Sequence, residues 1–104
     1  MQIQINTDKN VTGSEGLIAS STSVILQELS RYRKQITRVE VHFSDEDGNK
    51  DGVNDNRCLV EARLAGMKPI AVTNMANSHE QAFLGALDKL KTSLEKITGR
   101  LKDK

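Results

Sequence analysis

The chain is poor in the residues that staple or rigidify small proteins. It holds one cysteine, one proline, no tryptophan and three aromatic rings, Tyr32, Phe43 and Phe83. A lone thiol excludes an internal disulfide and fits a reducing compartment. With so few rings the core has to be aliphatic, drawn from the 37 % of residues that are hydrophobic. No apolar run approaches the ~18 residues of a membrane span. The opening MQIQIN has neither the basic nor the apolar stretch of a secretory signal. These absences predict a soluble, cytoplasmic protein. At 104 residues it should form one domain, 1–104, able to bury a core unaided. Fifteen basic and fourteen acidic side chains leave +1, a sum that by itself points to no nucleic-acid partner. The placement of the charges says more.

Alternation in QIQIN marks a short half-buried strand. Thr12 and Glu15 have the spacing of a capping box. Beyond them Ile18, Ile25, Leu29, Tyr32 and Ile36 recur at helical intervals, although serines 20, 21 and 23 weaken the first half. TRVEVHF alternates again, with Val39, Val41 and Phe43 on one face. RCLVEARLAG and KPIAVTNM are further strands, separated by a turn at Gly66 to Pro69. Asn77 and Glu80 suggest a second helix cap, and Phe83, Leu87, Leu90, Leu94, Ile97 and Leu101 step by four and three in a strong helical stripe. The order β-α-β-β-β-α predicts an α+β, two-layer domain: one four-stranded sheet with two helices packed on one face. No linker, repeat or low-complexity tract interrupts it.

The segment DEDGNKDGVNDN, residues 45–56, joins the second and third strands. Asp47, Asn49, Asp51 and Gly52 match the first half of an EF-hand calcium loop. Position twelve of that loop should be a bidentate glutamate but is Cys58, and an EF-hand is flanked by helices where strands are expected here. A solvated, acidic hairpin tip is the reading that fits its neighbours, and no metal site is assigned.

From Glu40 to Glu61 there are seven acids and two bases. The bases gather elsewhere. Arg31, Arg33, Lys34 and Arg38 follow the first helix with no acid among them. On a helical projection of the last segment, Lys89, Lys96 and Arg100 form one column beside the apolar stripe. Lys91 and Lys102 form another on the opposite flank, while Asp88, Glu95 and Asp103 lie on the back. Such clusters hold phosphates through charge and counterion release, without reading sequence. The same lysines also cover apolar surface with their stems and complement a helix C-terminus. Without stacking aromatics the charge pattern alone is a weak nucleic-acid signal.

Catalytic constellations are missing. His42 and His79 belong to no triad or zinc spacing. His42 should face solvent opposite Val41 and Phe43, and His79 should be exposed near a helix start. Cys58 at a strand start is a packing residue, and no glycine-rich phosphate loop follows a strand. The sequence describes a binding module and not an enzyme. No cofactor, membrane or small-molecule substrate is expected.

Three stretches carry a family resemblance: MQIQI at the start, ELSRYRKQITRVEV with Leu29, Tyr32, Ile36 and Val39, and LDKLKTSLEKITGRLK in the terminal helix. They resemble the short ribosome hibernation promoting factors and ribosome-associated inhibitor A proteins over nearly the whole chain. The resemblance implies a domain that docks on the small ribosomal subunit, occupies the messenger and transfer RNA channel, and silences translation in stationary phase or stress. It assigns ribosomal RNA contact to Lys89, Lys96, Arg100 and Lys102. The charge map adds Arg31, Arg33, Lys34, Arg38 and Lys91. The chain departs from the family in lacking a basic residue near Thr92 and a tyrosine near Glu80, and in its long acidic tip. Set against that resemblance, the chain is expected to lack the extra domain by which long relatives pair ribosomes. The rival expectation is a protein-interaction or divalent-metal-responsive module acting through the 45–56 hairpin. A free duplex-RNA binder shares only the helix-on-sheet look.

Overall fold

The computed structural model describes residues 1–9, 11, 13–45 and 56–102, the side chains of 100–102 excepted. The elements run β1 (Gln2–Thr7), α1 (Ser14–Glu28), a 3-10 turn (Ser30–Tyr32), β2 (Ile36–Asp45), β3 (Asn56–Leu64), β4 (Ile70–Ala76) and α2 (His79–Lys102). The sheet order is β1-β2-β3-β4. β1 lies parallel to β2, Gln2 beside Arg38 and Thr7 beside Phe43. The other pairs are antiparallel. This is the α+β fold expected from the sequence.

One face of the sheet is buried. Val39, Val41 and Phe43 of β2 and Cys58, Val60 and Ala62 of β3 are fully enclosed. From α2, Phe83, Leu87, Leu90 and Leu94 come down onto them with Ala82 and Ala86. The opposite face carries Gln2, Gln4, Asn6, His42, Arg63 and Thr73, all exposed. Both helices therefore share one side of the sheet, as a period-2 alternation with one apolar face requires.

Two parallels locate the helices. α1 begins where α2 begins: Gly13, Gly16 and Leu17 line one hollow with Ser78, His79 and Glu80. α1 also ends beside the middle of α2, where Lys91 Nζ lies 2.8 Å from Glu28 Oε1. The helices are thus parallel to each other, both starting at the end of the sheet where β2 finishes. α2, at 24 residues, is about 36 Å long, whereas β4, at seven residues, is about 23 Å.

Several sequence expectations shift. α1 turns Leu17, Ser21 and Ile25 inward, so Leu17 replaces Ile18 in the core. Tyr32 and Ile36 are buried but lie beyond the helix, on the 3-10 turn and at the start of β2. Apolar spacing continues across the helix end at Leu29, which mimics a longer stripe. The α2 cap is Ser78, whose Oγ accepts the Gln81 N–H at 3.1 Å. Asn77 instead offers its carbonyl to Asn56 Nδ2 at 2.8 Å. Gly13, with φ 66°, occupies the α1 cap position; Thr12 of the expected capping box lies outside the described residues.

Among the described residues, Ser21 Oγ and Tyr32 Oη are buried without a hydrogen-bond partner. Desolvating a hydroxyl without compensation is unfavourable, and serine is a weaker helix former than alanine. Ser21→Ala should therefore raise stability by about 1 kcal/mol, seen as a higher urea midpoint at unchanged slope. Leu94→Ala, in the fully enclosed stripe, should lose about 2–5 kcal/mol in the same measurement.

Candidate nucleic-acid interface

The parallel helices bring the two basic segments of the sequence to one end. Arg31, Arg33 and Lys34 follow the last turn of α1 directly. Lys96 lies one and a half turns beyond Lys91, which is bound to that last turn. Arg31, Arg33 and Lys34 are exposed and, with Ser30, surround an open hollow of about 380 Å³. The Arg31 guanidinium stacks over the buried Tyr32 ring, 5.2 Å from its centroid, which limits its rotamers and holds one cation at the rim. Arg33 and Lys34 form no ion pair among the described residues. Lys68 is exposed in the β3–β4 turn, and Gln35 accepts from Ala65 N in that turn at 3.0 Å, so this lysine borders the same end.

The basic residues do not act as one set. Lys89 donates from Nζ to the Thr73 carbonyl at 2.8 Å, closing over the outer edge of β4. Lys91 on the opposite flank is held by Glu28, and that carboxylate pushes its ammonium pKa above the usual lysine value. Arg38 is turned away altogether. The register of β2 shifts between Ile36 and Arg38, so Ile36 enters the core while Arg38 falls on the open sheet face. There it pairs with Glu40 at 2.6 Å and with the Gln4 side-chain oxygen. Arg100 and Lys102 are on the last turns of α2, with side chains outside the described set. The structure thus gathers Arg31, Arg33, Lys34 and Lys96 at one end, employs Lys89 and Lys91 in tertiary contacts, and removes Arg38 to another face. Arg63, beside Glu61 at 3.5 Å on that same face, and Lys68 were not singled out in the sequence; only strand pairing shows where they sit.

Several acids lie at the other end. Asp8, Glu15 and Glu80 are exposed there, and β2 ends there at Asp45. The half calcium motif of Asp47, Asn49, Asp51 and Gly52 lies outside the described residues. Its twelfth position, Cys58, is buried on β3 and paired in register with Phe43. No group of three potential metal-ligating side chains occurs among the described residues.

Neither histidine sits in a catalytic arrangement. His42 is exposed, as expected. His79 is half-buried instead of exposed: its ring stands edge-on to Phe43 at 5.8 Å and its Nε2 is 3.3 Å from the Ser44 carbonyl. The contact is a tertiary one between α2 and β2, invisible in sequence. Burial pushes the Cys58 thiol up to about 12, the Arg57 charge opposing it slightly.

The arrangement is a helix-on-sheet domain with a cationic end, and no reaction centre is found among its described residues. Residues 3–102 match the sequence profile of the family described as Sigma 54 modulation protein / S30EA ribosomal protein, and the chain belongs to that family. Its fold is shared with a ribosomal subunit interface protein from Coxiella burnetii, at TM-score 0.72 and 20 % identity over 95 % of this chain and 99 % of that one. The N-terminal domain of Protein Y from Thermus thermophilus is similar at TM-score 0.70 and 20 % identity, over 93 % and 99 %. Comparison by sequence with the curated proteins gives no match. No helix among the described residues is long and apolar enough to cross a membrane.

Two outcomes test these assignments. Lys89→Ala should lower stability by about 0.5–1.5 kcal/mol through loss of the Thr73 bond, measured in urea, in contrast to substitution of exposed Arg33. Native Cys58 should resist thiol reagents near pH 8 and react only on unfolding. Because its folded pKa lies above the unfolded 9.0, the thiol's contribution is complete below pH 9. It should then decline as pH rises toward 12, so alkaline destabilisation should shrink in Cys58→Ala.

Proposed function

We propose that this protein is a ribosome-associated translation silencer that acts by occupancy and without catalysis. Its basic end grips ribosomal RNA phosphates on the small subunit, and its body fills the space used by messenger and transfer RNA. The observation that carries this reading is the convergence of Arg31, Arg33, Lys34 and Lys96 at one pole. The first three surround an open hollow, while Asp8, Glu15 and Glu80 are exposed at the far pole. Guanidinium and ammonium groups match phosphate oxygens in geometry and charge. Membership of a family described as a ribosomal protein family, and a fold shared with a protein named for the ribosomal subunit interface, agree with it. The proposed location is therefore the cytoplasm, with the ribosome.

Arg100 and Lys102 extend the same pole in this proposal. Lys89 and Lys91 support it indirectly, by fixing α2 against β4 and α1. Arg38, bound to Glu40 and Gln4, plays no direct part.

Sedimentation of lysate from stationary cells should find the protein with 30S and 70S particles at low salt. With purified components, the logarithm of the association constant should fall by roughly 0.7–0.9 per neutralised phosphate for each unit rise in log salt. The triple change Arg31→Glu, Arg33→Glu, Lys34→Glu should move the protein to the top of the gradient with its urea midpoint retained. Absence from ribosomal fractions at low salt would overturn the proposal. Equally tight binding to isolated RNA duplexes would replace it with a free duplex-RNA binder.

A further inference from the structure

The two edges of the sheet are treated differently. β4 is closed: Lys89 Nζ covers the Thr73 carbonyl, Asn74 Nδ2 reaches the Ala82 carbonyl at 3.3 Å, and Pro69 precedes the strand. β1 has none of these devices. Its six residues, QIQINT, include no charge and no proline, and among the described residues β2 is its one strand neighbour. Ile3 and Ile5 pack on the core yet remain half exposed. Above them, Ile18, Thr22 and Leu26 form an i, i+4 row along the flank of α1 turned away from α2, with Leu26 56 % exposed. An uncharged, unguarded edge is a template for another strand.

We infer that β1 is an interaction surface for a second copy of this chain, paired antiparallel through β1 of each copy about a two-fold axis. Three observations select this occupant and direction. First, β1 reads almost the same in reverse. With Gln4 opposite Gln4 of the second copy, Gln2 meets Asn6 and Ile3 meets Ile5. Every pair then matches in face and polarity, as antiparallel cross-strand neighbours must. Second, the axis stands perpendicular to the sheet, so both pairs of helices stay on one side. The Ile18–Leu26 rows of the two α1 helices then flank the seam, covering Ile3 and Ile5. Third, β1 runs from the basic pole to the acidic one. Antiparallel pairing sets Arg31, Arg33 and Lys34 of one copy alongside the end that carries Asp8, Glu15 and Asp45 of the other. Parallel pairing would oppose like poles. An isologous contact built on six residues is smaller than a standard stable interface. The assembly is a reversible dimer that forms with concentration and weakens with salt. The inference does not depend on ribosome docking: its contact runs along β1 and α1, and Arg31, Arg33 and Lys34 enter it only through the charge they set beside the second copy.

Sedimentation equilibrium of the full chain, up to about 1 mM, where even a weak association would be half formed, should show a monomer–dimer equilibrium. Association should weaken several-fold from low to high salt. Gln4→Glu retains an oxygen for Arg38 but faces itself across the axis, and it should be monomeric throughout. Gln4→Cys should form a covalent dimer under mild oxidation, the buried Cys58 taking no part, and Thr73→Cys on the closed edge should not. A chain that stays monomeric at 1 mM overturns the inference. So does a dimer that Gln4→Glu leaves intact, or equal cross-linking from position 73.

Discussion

The parallel pairing of β1 with β2 determines the shape of this molecule. Parallel neighbours cannot be joined by a hairpin, so the chain must return across the sheet before it starts β2. α1 makes that return and is obliged to finish beside the first residue of β2. The antiparallel run β2-β3-β4 then leaves the chain at the opposite end, and α2 has to set out from there. Both helices therefore start at one end of the sheet and finish toward the other. Residues far apart in sequence, Arg31 to Lys34 and Lys96, come to the same end of the molecule because of one strand pairing.

The helix termini then sort charge by sign. Acids stand near the two helix N-termini, where Glu15 and Glu80 occupy the first turns, and Arg31, Arg33 and Lys34 follow the C-terminus of α1. Each is the arrangement favoured by the partial charges of the unsatisfied backbone groups. What helps each helix locally also produces a molecule with opposite ends. The basic groups beyond α1, Arg33 and Lys34, form no ion pair among the described residues. Lys91 is the exception that fastens the two helices together through Glu28.

Much of the fold was legible because α2 and the strands obey simple periods. Phe83, Leu87, Leu90 and Leu94 read as one stripe and are one stripe; Val39, Val41 and Phe43 alternate and share a face. α1 was blurred because its inner face includes Ser21 and its apolar spacing carries on through Leu29 to Tyr32 and Ile36, past the end of the helix. The basic segments were legible in composition and flank. Helical projection separates Lys89 from Lys91, but it cannot show that one meets a strand carbonyl and the other a glutamate. Arg38 was misgrouped because a shift of register at the start of β2 turned it to the open face, and no sequence period announces such a shift. His79 was misjudged for a similar reason: Phe43 and Ser44, its neighbours, are more than thirty positions away.

The uncovered side of the sheet is electrically quiet, because Arg38 and Arg63 sit beside Glu40 and Glu61. The body is also elongated, 51 Å by 23 Å by 20 Å. A neutral flank and oppositely charged tips mean that a distant polyanion exerts little pull on the whole, since the net charge is +1, but a considerable torque. The molecule would be turned end-on during approach, before any atom touches, and oriented encounters of this kind fade as ions shorten the reach of the field.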